Sequence, residues 1–260
     1  MAKQTISVVL ATYNEESNLA SCLDSIKSLA DEIVIVDGES TDNTRDIAKQ
    51  FGAKIIVTKN KPNFHINKQM GIDAAKSDWI FQLDADEHAT PELNKEIIEK
   101  INEPKSDIQG YWMPRKNYFL GRFLMKGGQY PDYTLRIYRK GKGRLPMKDV
   151  HEQAVVEGRV GHLKHALLHY PYSDFSHYYR KWNKYNDFFA HQIKEQVGNK
   201  NFFIQLFYAV LYLFIKPTHW FLTTYFRHKG FVDSWQGFIF SFFSALRFPC
   251  SYVKYIELKI

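Results

Sequence analysis

Cysteine is scarce in this chain of 260 residues. Cys22 and Cys250 are the two present, and they are far apart. That excludes a disulfide framework and a thiolate metal site, and it suits a reducing, cytoplasmic setting. Glycine-rich phosphate loops are missing as well. No Gly-x-Gly-x-x-Gly follows the first apolar run, and no Gly-Lys-Ser/Thr occurs. A dinucleotide fingerprint and a phosphate loop are therefore both excluded, so any diphosphate must be held by metal and side chains. Zinc-finger spacings, RNA-recognition signatures and basic low-complexity arms are also lacking, which argues against nucleic acid as a partner. The apolar stretch Phe202–Ile215 falls short of the roughly 20 residues of a spanning helix. The opening segment, Met1 to Tyr13, is too briefly apolar to read as a signal peptide.

What is present is a 45% apolar composition, 16% aromatic residues concentrated after residue 110, and a formal charge of +7. The length allows one large domain or a domain with an appendage. The basic balance suits anionic lipid or phosphorylated substrates.

The first hundred residues alternate. Ile6–Ala11, Glu32–Asp37, Lys54–Val57 and Trp79–Leu83 read as strands; Ser17–Leu29, the segment after Asp42, Asn67–Ala75 and Pro91–Ile101 read as helices. Short connections between them predict a parallel, doubly wound α/β sheet. Ligands of such sheets sit outside the carboxyl ends of the strands. Three of those ends are chemically rich: Thr12 to Glu15, Asp37 to Glu39, and Asp84 to Glu87. Asp84 and Asp86 leave a strand one residue apart, so both can face the same space. Two carboxylates there suit Mg²⁺ or Mn²⁺ bridging a substrate diphosphate; a solvated acidic turn is the plain alternative. Asp37 is placed either to hydrogen-bond a base or ribose or to hold its own turn.

The series Val8-Val9-Leu10-Ala11-Thr12-Tyr13-Asn14-Glu15-Glu16, Ile35-Val36-Asp37-Gly38-Glu39-Ser40-Thr41-Asp42 and Leu83-Asp84-Ala85-Asp86-Glu87 resembles the family 2 glycosyltransferases of the GT-A fold. The resemblance is close over residues 5–100 and looser beyond. It implies inverting transfer of a sugar from a nucleotide diphosphate donor, most commonly a uridine one, with a divalent metal. Thr12, Tyr13, Asn14, Glu15, Asp37, Lys68, Asp84 and Ala85 would then form the donor side, with Asp86 the more direct metal ligand and Asp84 its companion. Where the family often has Arg-Asn before a glycine, this chain has Lys68-Gln69-Met70-Gly71. Lysine keeps the charge but cannot form a bidentate fork.

After residue 101 the alternation ends. Gly110–Arg115 and Tyr133–Arg139 read as strands. An inverting reaction needs a base beside the acceptor hydroxyl. The candidates are Asp132, Asp149 and Glu152, with Glu152 preferred and Asp132 second; an Asp132–Arg136 ion pair is the plain alternative for Asp132. Tyr130-Pro131-Asp132, Arg136-Ile137-Tyr138-Arg139 and Val150-His151-Glu152 resemble the lipopolysaccharide core glucosyltransferase branch of the family. His151, Arg136 and His169 are placed on the acceptor side. Residues 1–172 are thus expected to be catalytic, with 1–100 the nucleotide-sugar half and 101–172 the acceptor half.

Residues 173–260 are expected to be a helical extension. Phe175–Gln196 reads as a helix. Phe202–Ile215 and Phe238–Phe248 are short apolar runs with Lys and Arg at their margins, which predicts in-plane contact with the cytoplasmic face of an inner membrane; a helical cover or a homo-oligomer interface competes. Glucose as the sugar and a lipid-linked or core saccharide as acceptor are what the resemblance suggests. A noncatalytic nucleotide-sugar-binding scaffold and a sugar nucleotidyltransferase are the other function classes.

Overall fold

A computed structural model describes residues 3–61, 63–104, 106–146 and 153–259. Asp149, His151 and Glu152 lie outside the described residues.

The chain opens with β1 (Ile6–Thr12), α1 (Leu19–Ser25), β2 (Glu32–Asp37), α2 (Thr44–Gln50), β3 (Lys54–Val57), α3 (Phe64–Ala74) and β4 (Trp79–Gln82). β5 (Glu87–Ala89), α4 (Pro91–Ile101), β6 (Ile108–Phe119), β7 (Arg122–Phe123) and β8 (Asp132–Arg139) follow. Next are β9 (Gly143–Arg144), β10 (Val155–Val156), β11 (Arg159–His162) and β12 (Leu167–His169), then α5 (Phe175–Val197), α6 (Phe202–Val210), α7 (Lys216–Phe221) and α8 (Ser234–Glu257).

The main sheet runs β3-β2-β1-β4-β8-β6. β3, β2, β1 and β4 are parallel. β8 joins β4 antiparallel, and β6 joins β8 antiparallel. The parallel half and the two later strands agree with the sequence, and the sheet is mixed because those later strands return against it. β1 is apolar on both faces, as a central parallel strand must be. Val8 and Leu10 pack on one side with Leu19, Leu23 and Ile97, while Val9 faces Ile72 and Ala75 on the other. The two-residue period of a strand sends alternate side chains to helices on opposite faces.

Two helix starts follow from capping. Thr90 accepts a hydrogen bond from the Leu93 amide ahead of Pro91, and Asn63 accepts one from His65. α1 ends at Ser25, short of the expected Leu29, because the Ser25 hydroxyl donates back to the Cys22 carbonyl at 2.6 Å and accepts from the Ala89 amide. Ile26 and Leu29 stay buried in the turn that follows.

α3 approaches the sheet at Gly71. A methyl group there would lie 2.6 Å from Val9 Cγ1 and 3.2 Å from Val36 Cγ2. Gly71→Ala is therefore expected to lower stability by about 1–3 kcal/mol through overpacking, read as a shift in the urea midpoint. An unchanged midpoint would show that the helix retreats without cost.

The chain divides into two units, residues 1–115 with 132–169, and residues 116–131 with 170–260. The segment 116–131, read from sequence as part of the acceptor half, groups with the helices instead. The cause is a set of contacts made by α8 and its leading turn. Asp233 accepts from the amides of Met125 and Lys126 at 2.9 and 2.7 Å, Gln236 donates to the Leu120 carbonyl, and Phe119 packs edge-on against Phe240.

In the helical unit, Asp174 caps α5. Residues 202–227 form one continuous helical run of 26 residues, with π-helical turns at Leu211–Ile215 and Leu222–Arg227. The sequence had suggested a stop at Lys216-Pro217. Pro217 instead occupies the first turn of α7, where a missing N–H is tolerated.

Candidate active site

Two carboxylates of the Asp84-Ala85-Asp86-Glu87 turn, Asp84 and Glu87, share Arg136, and the third, Asp86, faces His169. β4 ends at Gln82, and the Glu87 amide closes a turn onto the Asp84 carbonyl at 2.9 Å. Asp84 bonds the ammonium of the fully buried Lys68 on α3 through Oδ1, and accepts from Arg136 Nη2 at 2.6 Å through Oδ2. Arg136 also reaches Glu87 at 2.7 Å, and Arg115 donates to the same Glu87 oxygen at 3.0 Å. Arg115 then forks onto Asp132 Oδ2 at 2.8 and 3.0 Å. The result is an alternating chain: Lys68, Asp84, Arg136, Glu87, Arg115, Asp132. Every buried charge in it has an opposite neighbour, which burial requires.

Burial alone would raise the Asp84 carboxyl, but Arg136 and Lys68 beside it hold it well below the usual carboxylate range. Arg136 loses solvation, yet Asp84 and Glu87 keep its guanidinium more firmly protonated than usual. Cys22, whose thiol reaches the Asp84 carbonyl at 3.5 Å, is pushed well up by burial and then by Glu87, Asp86, Asp84 and Glu15. It is a neutral thiol, and the four carboxylates acting on it converge on one region. Burial also lowers the His88 imidazole, with Asp86 pulling partly the other way.

The sequence suggested that Asp132 pairs with Arg136. It pairs with Arg115, and the reason is strand geometry. Residues four apart on a strand are separated by about 13 Å, whereas Arg115 on β6 lies directly opposite Asp132 on β8. Arg136, expected on the acceptor side, turns to the carboxylates instead. Glu87 and Arg115 had been given no role. Glu87 had a signal, a third acid directly after the pair; Arg115 had only its place at the end of an apolar strand.

Asp86 lies apart from this chain. β5 pairs antiparallel with β12, setting Glu87 opposite His169. That register brings His169 Nε2 to 3.5 Å from Asp86 Oδ2. A carboxylate oxygen and an imidazole nitrogen so placed fit Mg²⁺ or, better, Mn²⁺. Among the described residues no three His, Cys, Asp or Glu side chains gather to cage an ion. A cation held here would need further oxygen ligands from elsewhere, which is the habit of ions that bridge phosphates. Asp84, with an oxygen on each of two cations, is a companion to that pair rather than its equal.

The loops after β1 and β2 are laced together. The Asn14 amide donates to Ser40 Oγ at 2.9 Å, and the Thr41 amide to Asn14 Oδ1 at 2.8 Å. Glu15 donates its amide to Thr44 and accepts from Asn18. Asn14 and Glu39 both have positive φ, 55° and 63°. Tyr13 is exposed, Thr12 and Ala85 are buried. Asp37 is wholly buried, and its carboxylate accepts from Ser40 at 2.6 and 2.9 Å and from Thr12 at 3.2 Å. Its work in this structure is to fix the turn, one of the two readings of the sequence.

The sequence profile of Glycosyl transferase family 2 matches residues 7–155. The chain belongs to this family. Its α/β sheet with flanking helices and a helical C-terminal part is the GT-A architecture. Among curated relatives, "Lipopolysaccharide core biosynthesis glycosyltransferase LpsC" of Rhizobium meliloti is 29% identical over 258 residues, covering 94% of this chain and 92% of the relative. An uncharacterized glycosyltransferase of Rickettsia felis is 30% identical over 259 residues, covering 94% and 88%. Among solved structures, glucosyl-3-phosphoglycerate synthase of Mycobacterium tuberculosis, crystallised with Mn²⁺, uridine diphosphate and glucosyl-3-phosphoglycerate, is 26% identical. It covers 45% of each chain at a TM-score of 0.36.

Proposed function

We propose that this glycosyltransferase moves a sugar, with inversion, from a uridine diphosphate donor to a lipid-linked or lipopolysaccharide-core saccharide. The observation that supports the reading is the Asp86–His169 pair at 3.5 Å, on the same turn as Asp84 with its Lys68 and Arg136 partners: a carboxylate and an imidazole suited to a divalent cation, at the carboxyl edge of a parallel sheet. A divalent ion held by Asp86 and His169, with Asp84 behind, would neutralise charge on the leaving diphosphate. Lys68 and Arg136, each paired with a carboxylate of the same turn, fix Asp84 in place before the donor arrives, so little of the site need reorganise when it binds. Thr12, Tyr13, Asn14 and Glu15 line the nucleoside end, on a loop kept in shape by Ser40, Thr44 and Asp37. Glucose is the sugar the core branch suggests, and the LpsC relative supports a core saccharide as acceptor.

The acceptor hydroxyl loses its proton to a carboxylate as the new carbon–oxygen bond forms. Glu152 is the first choice and Asp132 the second. The test begins with a screen of nucleotide sugars for release of nucleoside diphosphate in the presence of Mn²⁺ and candidate acceptors. Glu152→Gln is then expected to lower transfer by about 10²–10⁴-fold while donor affinity stays within about twofold. The same loss in Asp132→Asn with Glu152→Gln unaffected would move the base to Asp132. Donor binding without turnover on any acceptor would favour a scaffold. Formation of nucleotide sugar from a nucleoside triphosphate and a sugar phosphate would favour a nucleotidyltransferase.

A further inference from the structure

The helical unit carries an apolar surface that none of the described residues covers. Along residues 202–227 one face packs inward: Tyr208, Ala209, Tyr212 and Leu213 lie against Ala190, Ile193, Val197, Tyr252 and Tyr255 of α5 and α8. The opposite face is a stripe of Phe203, Phe207, Phe214, Leu222 and Phe226, exposed by 79, 59, 65, 50 and 55%. Ring contacts extend the patch sideways. Tyr225 packs on Phe231 and Phe238, and Phe238 stacks on Phe242 at 5.9 Å; all three phenylalanines are exposed. An apolar surface of this extent marks an interaction site.

Charge decides what covers it. Residues 200–256 contain Lys200, Lys216, Arg227, Lys229, Arg247 and Lys254 but a single acid, Asp233. That acid is buried and bonded to the Met125 and Lys126 amides. Lys254 pairs with Asp187. Lys216 and Arg247 rest on rings instead: Lys216 Nζ is 3.6 Å above Tyr212, and the Arg247 guanidinium is 4.7 Å from both Trp220 and Phe248. Neither has a carboxylate partner among the described residues. A two-fold contact between copies would set this acid-poor, cationic surface against itself. An anionic lipid surface meets it with opposite charge. The helix is long and apolar enough to cross a bilayer, but its inner face is fixed to α5, whose Arg180, Lys184 and Asp187 would be drawn into hydrocarbon with it.

We propose that the helical unit docks in the plane of an anionic lipid bilayer, with the stripe Phe203–Phe226 and its Phe231–Phe242 flank at acyl-chain level and Lys216, Arg247 and the outer cations at the phosphates. Docking holds the enzyme at the surface where a lipid-linked acceptor would be presented, but binding is read without turnover and so stands apart from the donor and acceptor reading.

The test is flotation of the purified full-length chain with phosphatidylcholine vesicles with or without phosphatidylglycerol. Binding is expected only with the anionic lipid, and it is expected to weaken as salt rises from about 0.1 to about 1 M. Phe207→Asp/Phe214→Asp is expected to lower partitioning by at least about tenfold, with the circular dichroism spectrum unchanged. Trp235 should be quenched more by lipids brominated near the headgroup than near the chain end. Absence of wild-type binding, equal binding by the double variant, or deeper quenching would overturn the proposal. So would a wild-type dimer that the double variant converts to monomer while vesicles remain unbound.

Discussion

Asp86→Ala is expected to lower kcat/KM by about three orders of magnitude or more, the scale of losing a metal's charge stabilisation at a leaving group, while leaving the melting temperature nearly unchanged. Its neighbour in the structure is an imidazole, and it lies on a turn outside the alternating chain of ion pairs, so little of the fold leans on it. Two measurements check this. Titration calorimetry should show that Mn²⁺ and uridine diphosphate no longer bind cooperatively, and raising the Mn²⁺ concentration should not restore donor turnover. A variant that binds Mn²⁺ and turns over normally would sink the assignment. His169→Ala should weaken the same binding, because its Nε2, 3.5 Å from Asp86 Oδ2, is the second donor proposed for the ion.

Arg136→Met should show the opposite balance, with a large loss of stability. Arg136 is the shared counter-ion of Asp84 and Glu87, and Glu87 is fully buried. Removing one partner of a buried pair costs about 3–5 kcal/mol when the other charge is left uncompensated; here Arg115 still reaches Glu87 and Lys68 still reaches Asp84, which sets the expected loss at the lower end of that range. Urea denaturation would read this, and Arg136→Met/Glu87→Gln should be less destabilised than the sum of the single variants. The pH dependence has a defined sign. Burial raises the Asp84 carboxyl, but Arg136 and then Lys68 lower it well below its ordinary value. A depressed folded-state value contributes stability that is complete above the unfolded carboxylate value of about 3.9 and is lost as pH falls toward the folded value. Removing Arg136 raises the folded value, narrows that window, and should move acid unfolding to higher pH. Equal acid midpoints would show that Arg136 does not hold Asp84 down.

The parallel half was legible because its strands are apolar on both faces and its connections are short. Val8, Val9 and Leu10, or Ile80 and Phe81, admit few other readings. α4 announced itself through Thr90-Pro91 and the spacing of Leu93, Ile97 and Ile101. The carboxylates of the β4–β5 turn were visible as acids ending a strand. Their partners were not, because β4–β8 pairing sets Phe81 opposite Ile137, and β8–β6 pairing sets Asp132 opposite Arg115. Register between distant strands leaves no mark on local sequence, so nearness along the chain pointed to the wrong arginine. The helical run through Pro217 was hidden for a related reason: the π-helical turn Leu211–Ile215 that precedes the proline keeps the helix continuous past it, and local sequence does not mark such a turn.

The position of β8 also limits how the protein can be cut down. A fragment ending after α4 would keep the loops after β1 and β2 and the acidic turn. It would lose both arginines that neutralise Glu87, and it would leave the outer edge of β4 without its antiparallel neighbour, an open template for strand addition by other molecules. Such a truncation should aggregate rather than stay monomeric: the parallel half of the sheet depends for its folding on strands that enter only later in the chain.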